Sequence, residues 1–529
     1  MGLALAAFLG LVPQVAETEP QVANTSDLPP VEPSDIHNQT LIRNVHPVGW
    51  TNPSPASRYH LVVVGAGTAG LIAASFAAAA GARVALVEEH LMGGDCLNVG
   101  CVPSKSLLRS ARVYAELRDA AALGWRLPAG GEANFTAVMT RMRQVRARIS
   151  PNDSAERYRS QKGIDVFFGS GRFTSGTTVE VGGAVLRFRR AVIATGARAA
   201  RLPVPGLAEV GYLTNETVFN LTTRPARLAV VGGGPAGAEL AQAFRRLGSE
   251  VTLLEQADHI LGREDPDAAA VVQKELVRDG VRVEVGCQAE RVERQEGDKV
   301  IHFARGAMPL LRVDEIFVAT GRLPNIDGLG LEAAGVNYSL QGVRVDDSLR
   351  TSNPRVYAAG DVCLAWKFTH AAEDAARVAV QNALFPIRRR LSMLTIPWCT
   401  YTDPEVAHVG MSSRQATARG GEVVTYTHYL RDVDRAVTDG KDVGFVRIHT
   451  RKGSDEILGA TIVAAHAGEM ISEVTLAMVA HLGLRTLATV IHPYPTQADA
   501  LRRVALQYSV SRVTPLVRRL LRFWFKLTG

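Results

Sequence analysis

One local pattern occurs twice in this chain and limits what it can fold into. A strand, a glycine turn, a helix and a second strand ending in an acid run through residues 59–88 and again through 227–255. In the first copy the apolar run Tyr59 to Val64 predicts a buried parallel strand, followed by Gly65-Ala66-Gly67-Thr68-Ala69-Gly70 and an alanine-rich helix through Ala80. The first glycine permits a tight turn, Gly67 lets backbone approach a pyrophosphate at the helix N-terminus, and Gly70 allows the helix to pack close to the strand. A second strand, Arg83 to Val87, ends at Glu88, 23 positions after Gly65, where a carboxylate accepts hydrogen bonds from a ribose. A lone glycine fingerprint is weak evidence in a chain with 48 glycines, so its weight comes from the flanking strand, helix and acid. The second copy runs from the strand Arg227 to Val231 through Gly232, Gly234 and Gly237 to Glu255, with the same spacing of 23. Two dinucleotide sites are implied.

Between the copies lies chemistry of another kind. Gly93 to Lys105 reads Gly-Gly-Asp-Cys-Leu-Asn-Val-Gly-Cys-Val-Pro-Ser-Lys, with Cys96 and Cys101 five positions apart. On a regular helix such a pair has Cα atoms roughly 8–9 Å apart, and a disulfide needs less than about 7 Å. The first turn must therefore distort when the pair is oxidised, and Gly100 gives it the freedom to do so. The bland reading is two buried structural cysteines. A dinucleotide unit directly before the motif favours electron traffic between a flavin and a disulfide instead. The remaining cysteines, Cys287, Cys363 and Cys399, are scattered and make no secreted disulfide framework. A reducing, cytoplasmic compartment suits them.

Further marks follow: Ala194-Thr195-Gly196-Ala197 and Ala319-Thr320-Gly321-Arg322 each end an apolar strand, and Val356 to Asp361 reads Val-Tyr-Ala-Ala-Gly-Asp. From residue 58 to about 510 the chain resembles the flavin-dependent pyridine nucleotide-disulfide oxidoreductases (class I). The wording of the cysteine motif and of Ile396 to Glu405 is similar to the mercuric reductase-like branch, with the dihydrolipoamide dehydrogenase-like branch beside it. The resemblance implies an α/β fold with two three-layer Rossmann-like dinucleotide-binding domains and a C-terminal α+β dimerisation domain. A length of 529 residues with 47% apolar content agrees with several domains. The implied layout is an FAD-binding domain over 58–200 and 331–390, a nicotinamide-binding domain over 201–330 and a dimerisation domain over 391–510. Residues 1–57 form an arm or leader, and 511–529 a basic tail.

Roles carried over by resemblance are as follows. FAD is held by Gly65, Gly67, Gly70, Glu88, Lys105, Gly171, Thr195, Gly196, Ala197 and Asp361, the last of which also suits a helix N-cap. NAD(P)H is held by Gly232, Gly234, Gly237, Glu255 and Gly321. Glu255 favours NADH by repelling a 2′-phosphate, although Arg263, eight residues on, blunts that preference. Cys101 is the thiolate facing the flavin, Cys96 the exchange thiol, and Lys105 pairs with Glu239. The resemblance also implies a homodimer.

The C-terminal domain departs from its relatives. Where disulfide reductases carry His-Pro-Thr-x-x-Glu, this chain reads Tyr494-Pro495-Thr496-Gln497-Ala498-Asp499, so tyrosine stands for the acid–base histidine and Asp499 for its orienter. His492, two residues earlier, is a further candidate, against an ordinary loop histidine. Tyrosine at this position is similar to mercuric reductases, but no cysteine precedes Cys96 or follows Cys399 to receive a metal ion by thiol exchange. A metal ion such as Hg(II), a disulfide or a quinone is the expected acceptor, and no resident metal is expected. A dihydrolipoamide dehydrogenase-type enzyme, or a redox-sensing interaction flavoprotein that stops after one reduction, are the alternatives.

The two ends lie outside the catalytic unit. Gly2 to Val12 is apolar but too short to span a bilayer, and the first Arg or Lys is Arg43, so no signal-peptide n-region precedes it. Residues 13–57 read as a linker or an arm packed on the core. Residues 502–529 carry seven basic residues and no acid, equal to the formal net charge of +7. The rest of the chain is neutral, and no nucleic-acid partner is expected. Four of those bases share one face from Leu516 to Leu527, with Trp524 and Phe525 on the other, which predicts an interfacial helix or one packed on the protein's own surface.

Overall fold

The computed structural model describes residues 31–125 and 133–529, so the apolar run at the N-terminus lies outside the described residues. Residues 31–57 are packed on the body of the protein. They contain helix α1 (Ile36–Val45), N-capped by the Asp35 carboxylate, with Leu41 and Val45 fully buried.

The first fingerprint gives β1 (Tyr59–Val64), α2 (Thr68–Ala79) and β2 (Val84–Glu88). The cysteine segment gives α3 (Gly94–Asn98) and α4 (Cys101–Asp119), and α5 (Phe135–Ile149) follows. Strands β3 (Asp165–Phe168) and β4 (Ala184–Ile193) complete a parallel layer in the order β3-β2-β1-β4. Its apolar strands are buried on both faces, as a sheet covered by helices requires. Truncating one such residue, for example fully buried Leu86 to alanine, costs about 2–5 kcal/mol.

The second fingerprint repeats the arrangement with β5 (Arg227–Val231), α6 (Pro235–Arg246), β6 (Glu250–Leu254), β7 (Arg282–Glu284) and β8 (Glu315–Val318), ordered β7-β6-β5-β8. In both copies the first glycine has a positive φ, +101° at Gly65 and +108° at Gly232. A Cβ there would lie 2.4 Å from the Ala194 carbonyl oxygen and 2.6 Å from that of Ala319. Each turn therefore packs on the alanine that opens an Ala-Thr-Gly motif, which explains why the motifs come in pairs.

After the second unit the chain returns, and β9 (Val356–Ala358) pairs in parallel with β4 on the side away from β1. Helix α7 (Thr369–Leu384) packs against α2. Asp361 lies eight residues before the first residue of α7, whose N-cap is Phe368, so the N-cap role open to Asp361 in the sequence is not realised.

The C-terminal part is an antiparallel sheet of β10 (Trp398–Thr400), β11 (Glu405–Gly410), β12 (Val423–Tyr429), β13 (Phe445–Arg451) and β14 (Ile457–Ala464), in the order β10-β11-β14-β13-β12. Helices α8 (Ala467–Val479) and α9 (Asp499–Ser511) bury Met470, Ile471, Leu501 and Val504 in one core with Val446, Ile448 and Ile462 of that sheet. The last helix, α10 (Pro515–Thr528), buries none of its residues. Among the described residues, no helix is long and apolar enough to cross a membrane.

Candidate active site

The cysteines do not share a helix. Cys96 lies inside α3 and Cys101 opens α4, with the break at Val99 and Gly100, where a Cβ on Gly100 would lie 2.7 Å from the Asp95 carbonyl oxygen. The distortion expected of the oxidised pair is thus built into the backbone with both thiols free.

Around Cys101 the chain assembles polar groups from distant segments. The Thr369 hydroxyl, at the first residue of α7, lies 3.2 Å from the Cys101 sulfur. One turn into α4, Lys105 donates to the buried Glu239 carboxylate of α6 at 2.8 Å, as the sequence implied. The other Glu239 oxygen accepts from the Tyr401 backbone N–H at 2.8 Å, and the Lys105 ammonium lies 4.7 Å from the centre of the Tyr401 ring. Burial alone would lower the Lys105 pKa, but Glu239 and Cys101 outweigh it and hold the ammonium charged.

The two thiols titrate as a pair with opposite shifts. A hydrogen bond from Cys96 brings Cys101 down to about 6 against desolvation at the cavity wall, with Thr369 and Lys105 adding to the effect. The same bond, together with burial, pushes Cys96 up. Cys101 is the thiolate of the pair and Cys96 the thiol that donates to it.

Both open onto a cavity of about 700 Å³, which is within the range of cofactor pockets. Its lining includes Gly65, Gly67, Glu88, Gly171, Thr195, Gly196, Ala197 and Asp361. Gly70 lies behind this wall, where a Cβ would meet the Gly65 carbonyl at 1.8 Å. The Glu88 carboxylate accepts from the backbone N–H groups of Ala66 at 2.5 Å and His90 at 2.8 Å, which fixes it at the rim of the fingerprint. The Arg322 guanidinium is in contact with Asp95 and lies 3.4 Å from Asp361, whose carboxyl burial pushes up against the pull of Arg322 and Lys367. The nitrogen Arg146 Nε and the oxygen Asn98 Oδ1 are buried without partners, and both residues line the cavity. A wall with glycine turns at one side, a thiolate at another and unpaired buried polar atoms fits a dinucleotide such as FAD.

At the second fingerprint Glu255 repeats the Glu88 geometry, accepting from Gly233 N at 2.7 Å and Ala257 N at 2.8 Å. A Cβ on Gly234 or Gly321 would meet nothing within 4 Å, whereas one on Gly237 would lie 1.8 Å from the Gly232 carbonyl oxygen.

The C-terminal candidates stand apart from this cavity. Tyr494 is 73% exposed and its hydroxyl donates to Asp434 at 3.0 Å. Asp499 pairs with Arg503 at 2.8 Å one turn along α9, so within the protomer Asp434 and not Asp499 orients the tyrosine. The ring of His492 is bound through Nε2 to both oxygens of Glu473 at 3.1 Å, and its Nδ1 is buried. Neither ring nitrogen is presented to a substrate, which favours the ordinary loop histidine. Thr369, Tyr401 and Arg146 were not legible as site residues. Each reaches the site through the fold; no motif surrounds Thr369 or Arg146, and the Ile396–Glu405 wording around Tyr401 did not single it out.

Comparison with known proteins agrees with this geometry. Residues 59–376 match the family model "Pyridine nucleotide-disulphide oxidoreductase" and residues 396–505 match "Pyridine nucleotide-disulphide oxidoreductase, dimerisation domain". The chain is 34% identical over 452 residues to a mercuric reductase of Lysinibacillus sphaericus, covering 85% of this chain and 82% of the relative. It is also 34% identical over 454 residues to a dihydrolipoyl dehydrogenase of Chlamydia muridarum, covering 85% and 96%. A solved Cu(II) complex of the HOCl-induced flavoprotein disulfide reductase RclA from Escherichia coli superposes with a TM-score of 0.77 at 27% identity, over 85% of this chain and 100% of that one. The chain belongs to the pyridine nucleotide-disulphide oxidoreductase family. It is an FAD-dependent oxidoreductase that uses NAD(P)H, and its dimerisation domain supports a homodimer.

Proposed function

Starting from a flavoprotein disulfide oxidoreductase, we propose that the acceptor served by Cys96 and Cys101 is a thiol-reactive metal ion such as Hg(II), or another small oxidant. The observation that carries this reading is the setting of Cys101. A charged Lys105–Glu239 pair, the Thr369 hydroxyl and the Cys96 thiol surround its sulfur, and open cavity lies in front of it. Bound FAD supplies the two-electron link between the nicotinamide and the thiols. Reduction of the Cys96–Cys101 disulfide takes two electrons and one proton and leaves a thiolate on Cys101 and a thiol on Cys96. Lys105 and the N-terminus of α4 favour that thiolate. When Hg(II) takes the two electrons, the Cys96–Cys101 disulfide forms again, the Cys96 proton passes to solvent and mercury departs as the metal.

A disulfide acceptor needs more, because its leaving thiols must be protonated. A histidine titrating near neutrality does that work well. Tyr494 does not, since its hydrogen bond to Asp434 raises its pKa further, and His492 is occupied by Glu473. A metal ion asks for no such proton. Relatives named mercuric reductase and a neighbour solved with Cu(II) support metal ions as the acceptor class. Glu255 favours NADH, because a fixed carboxylate at that position repels a 2′-phosphate.

The test is turnover of the purified holoenzyme with NADH or NADPH against Hg(II), Cu(II), lipoamide, glutathione disulfide and quinones. Metal turnover that needs Cys96 supports the proposal, fastest turnover with lipoamide supports the dihydrolipoamide dehydrogenase type, and a single reduction without turnover supports a sensor.

The basic tail supports a further contact. Leu516, Leu520, Phe523 and Trp524 of α10 are each at least 60% exposed, and Arg518, Arg519, Arg522 and Lys526 share the opposite face. That combination suits an anionic lipid surface, where each base contributes on the order of 1 kcal/mol. Sedimentation with phosphatidylserine vesicles should carry down the full chain and leave a chain ending at Ser511 in solution, and high salt should abolish the difference.

A further inference from the structure

Residues 31–52 lie outside both family matches, which cover 59–376 and 396–505, yet the fold ties them to the wall of the cofactor cavity. The Met92 backbone N–H donates to the Val45 carbonyl at 3.1 Å, joining α1 to the loop that leads into the cysteine motif. Asn44 donates to the Ser150 hydroxyl at 2.8 Å, Trp50 Nε1 to the Val166 carbonyl at 3.2 Å, and Asn52 exchanges two hydrogen bonds with the Phe168 backbone. From this anchored segment Val31 and Leu41 reach the cavity and line it beside Asn98 and Arg146.

Arg146 is the notable residue. Its side chain belongs to α5 and is only 1% exposed. Nη1 donates to the Asn98 carbonyl at 2.6 Å and Nη2 to Asn38 Oδ1 at 2.7 Å, while Nε is buried and has no partner. Among the described residues no carboxylate bonds this guanidinium, and burial lowers its pKa to about 10. A buried cation is costly unless an anion completes it. Asn38, fully buried in α1, accepts from one end of the fork and holds it in place.

We propose that residues 31–52 are a cofactor-retaining strap, in which Leu41 backs the cavity wall and Asn38 holds the buried Arg146 guanidinium within that wall, where its charge acts on the phosphates of bound FAD. The inference rests on FAD occupying the cavity at Glu88. FAD release from the strap-closed site then requires α1 to lift from the wall.

The experiment uses the full-length holoenzyme and two variants, Asn38→Leu, which keeps the volume and removes the bonds to Arg146 and to the Pro33 carbonyl, and Glu88→Gln. Flavin release is followed by the rise in FAD fluorescence on dilution, and melting temperatures are measured with and without FAD. Asn38→Leu should release FAD several-fold faster, because the wall no longer holds the Arg146 charge in place. It should also narrow the gap in melting temperature between holo and apo protein. Hydrogen exchange of residues 36–45 should slow when FAD binds. If Asn38→Leu releases FAD at the wild-type rate and only lowers both melting temperatures equally, the segment is packing alone and the proposal fails. If Glu88→Gln also leaves FAD retention unchanged, the assumed FAD site has failed, a result distinguishable from failure of the strap.

Discussion

At Cys101 a single sulfur collects a hydrogen bond from Cys96, a hydroxyl from Thr369 and the field of Lys105, and its titration should report all three. With the thiol depressed to about 6, the reduced protein carries the thiolate above that pH, and its long-wavelength absorption with the oxidised flavin should fade as pH falls through about 6. Cys96→Ser should keep the band and Cys101→Ser should abolish it. Thr369→Val should move the midpoint upward by about one unit, the worth of one hydrogen bond to a charged sulfur, while Thr369→Ser restores it. A midpoint unmoved in Thr369→Val would deny the hydroxyl any part in holding the thiolate. Tyr494→Phe belongs to the same scale. It should slow turnover with the acceptor more than it slows flavin reduction by NADH, and equal losses would leave the tyrosine a packing role.

Among elements, the parts most visible in the sequence were those whose chemistry repeats. Both fingerprint strands, their helices and the acids Glu88 and Glu255 fall where the glycine spacing puts them, because turn, helix start and strand end are fixed by local sterics. The Lys105–Glu239 pair was legible only through family resemblance, since 134 residues separate its members. Asn38 and Arg146 were invisible, because an asparagine on a short helix carries no mark that it will hold an arginine 108 positions away. The tail was read as interfacial or self-packed, and α10 buries nothing against its own protomer. Removal of residues 512–529 should therefore leave the melting temperature within about 1–2 °C, as surface changes of under 0.5 kcal/mol do. A large fall would mean that α10 packs against the partner subunit.

For the whole molecule, two dinucleotide units and an antiparallel sheet domain are held together by a chain that crosses back, with β9 returning to the first sheet after the second is complete. The C-terminal domain leaves Leu476, Val479, Ile491 and Val510 more than half exposed in the protomer, as a surface awaiting a second copy would. Ile491→Asp, harmless to an isolated protomer at an exposed position, should shift the mass seen by light scattering from dimer toward monomer. An unchanged dimer would move the interface elsewhere. The central claim, that electrons leave through Cys96 to a metal ion or small oxidant, is tested most directly by anaerobic stopped-flow of wild type and Cys96→Ser with NADH and then Hg(II). The account predicts that both proteins take electrons from NADH and that only wild type passes them on over many cycles. Turnover of Hg(II) by Cys96→Ser at the wild-type rate would contradict it.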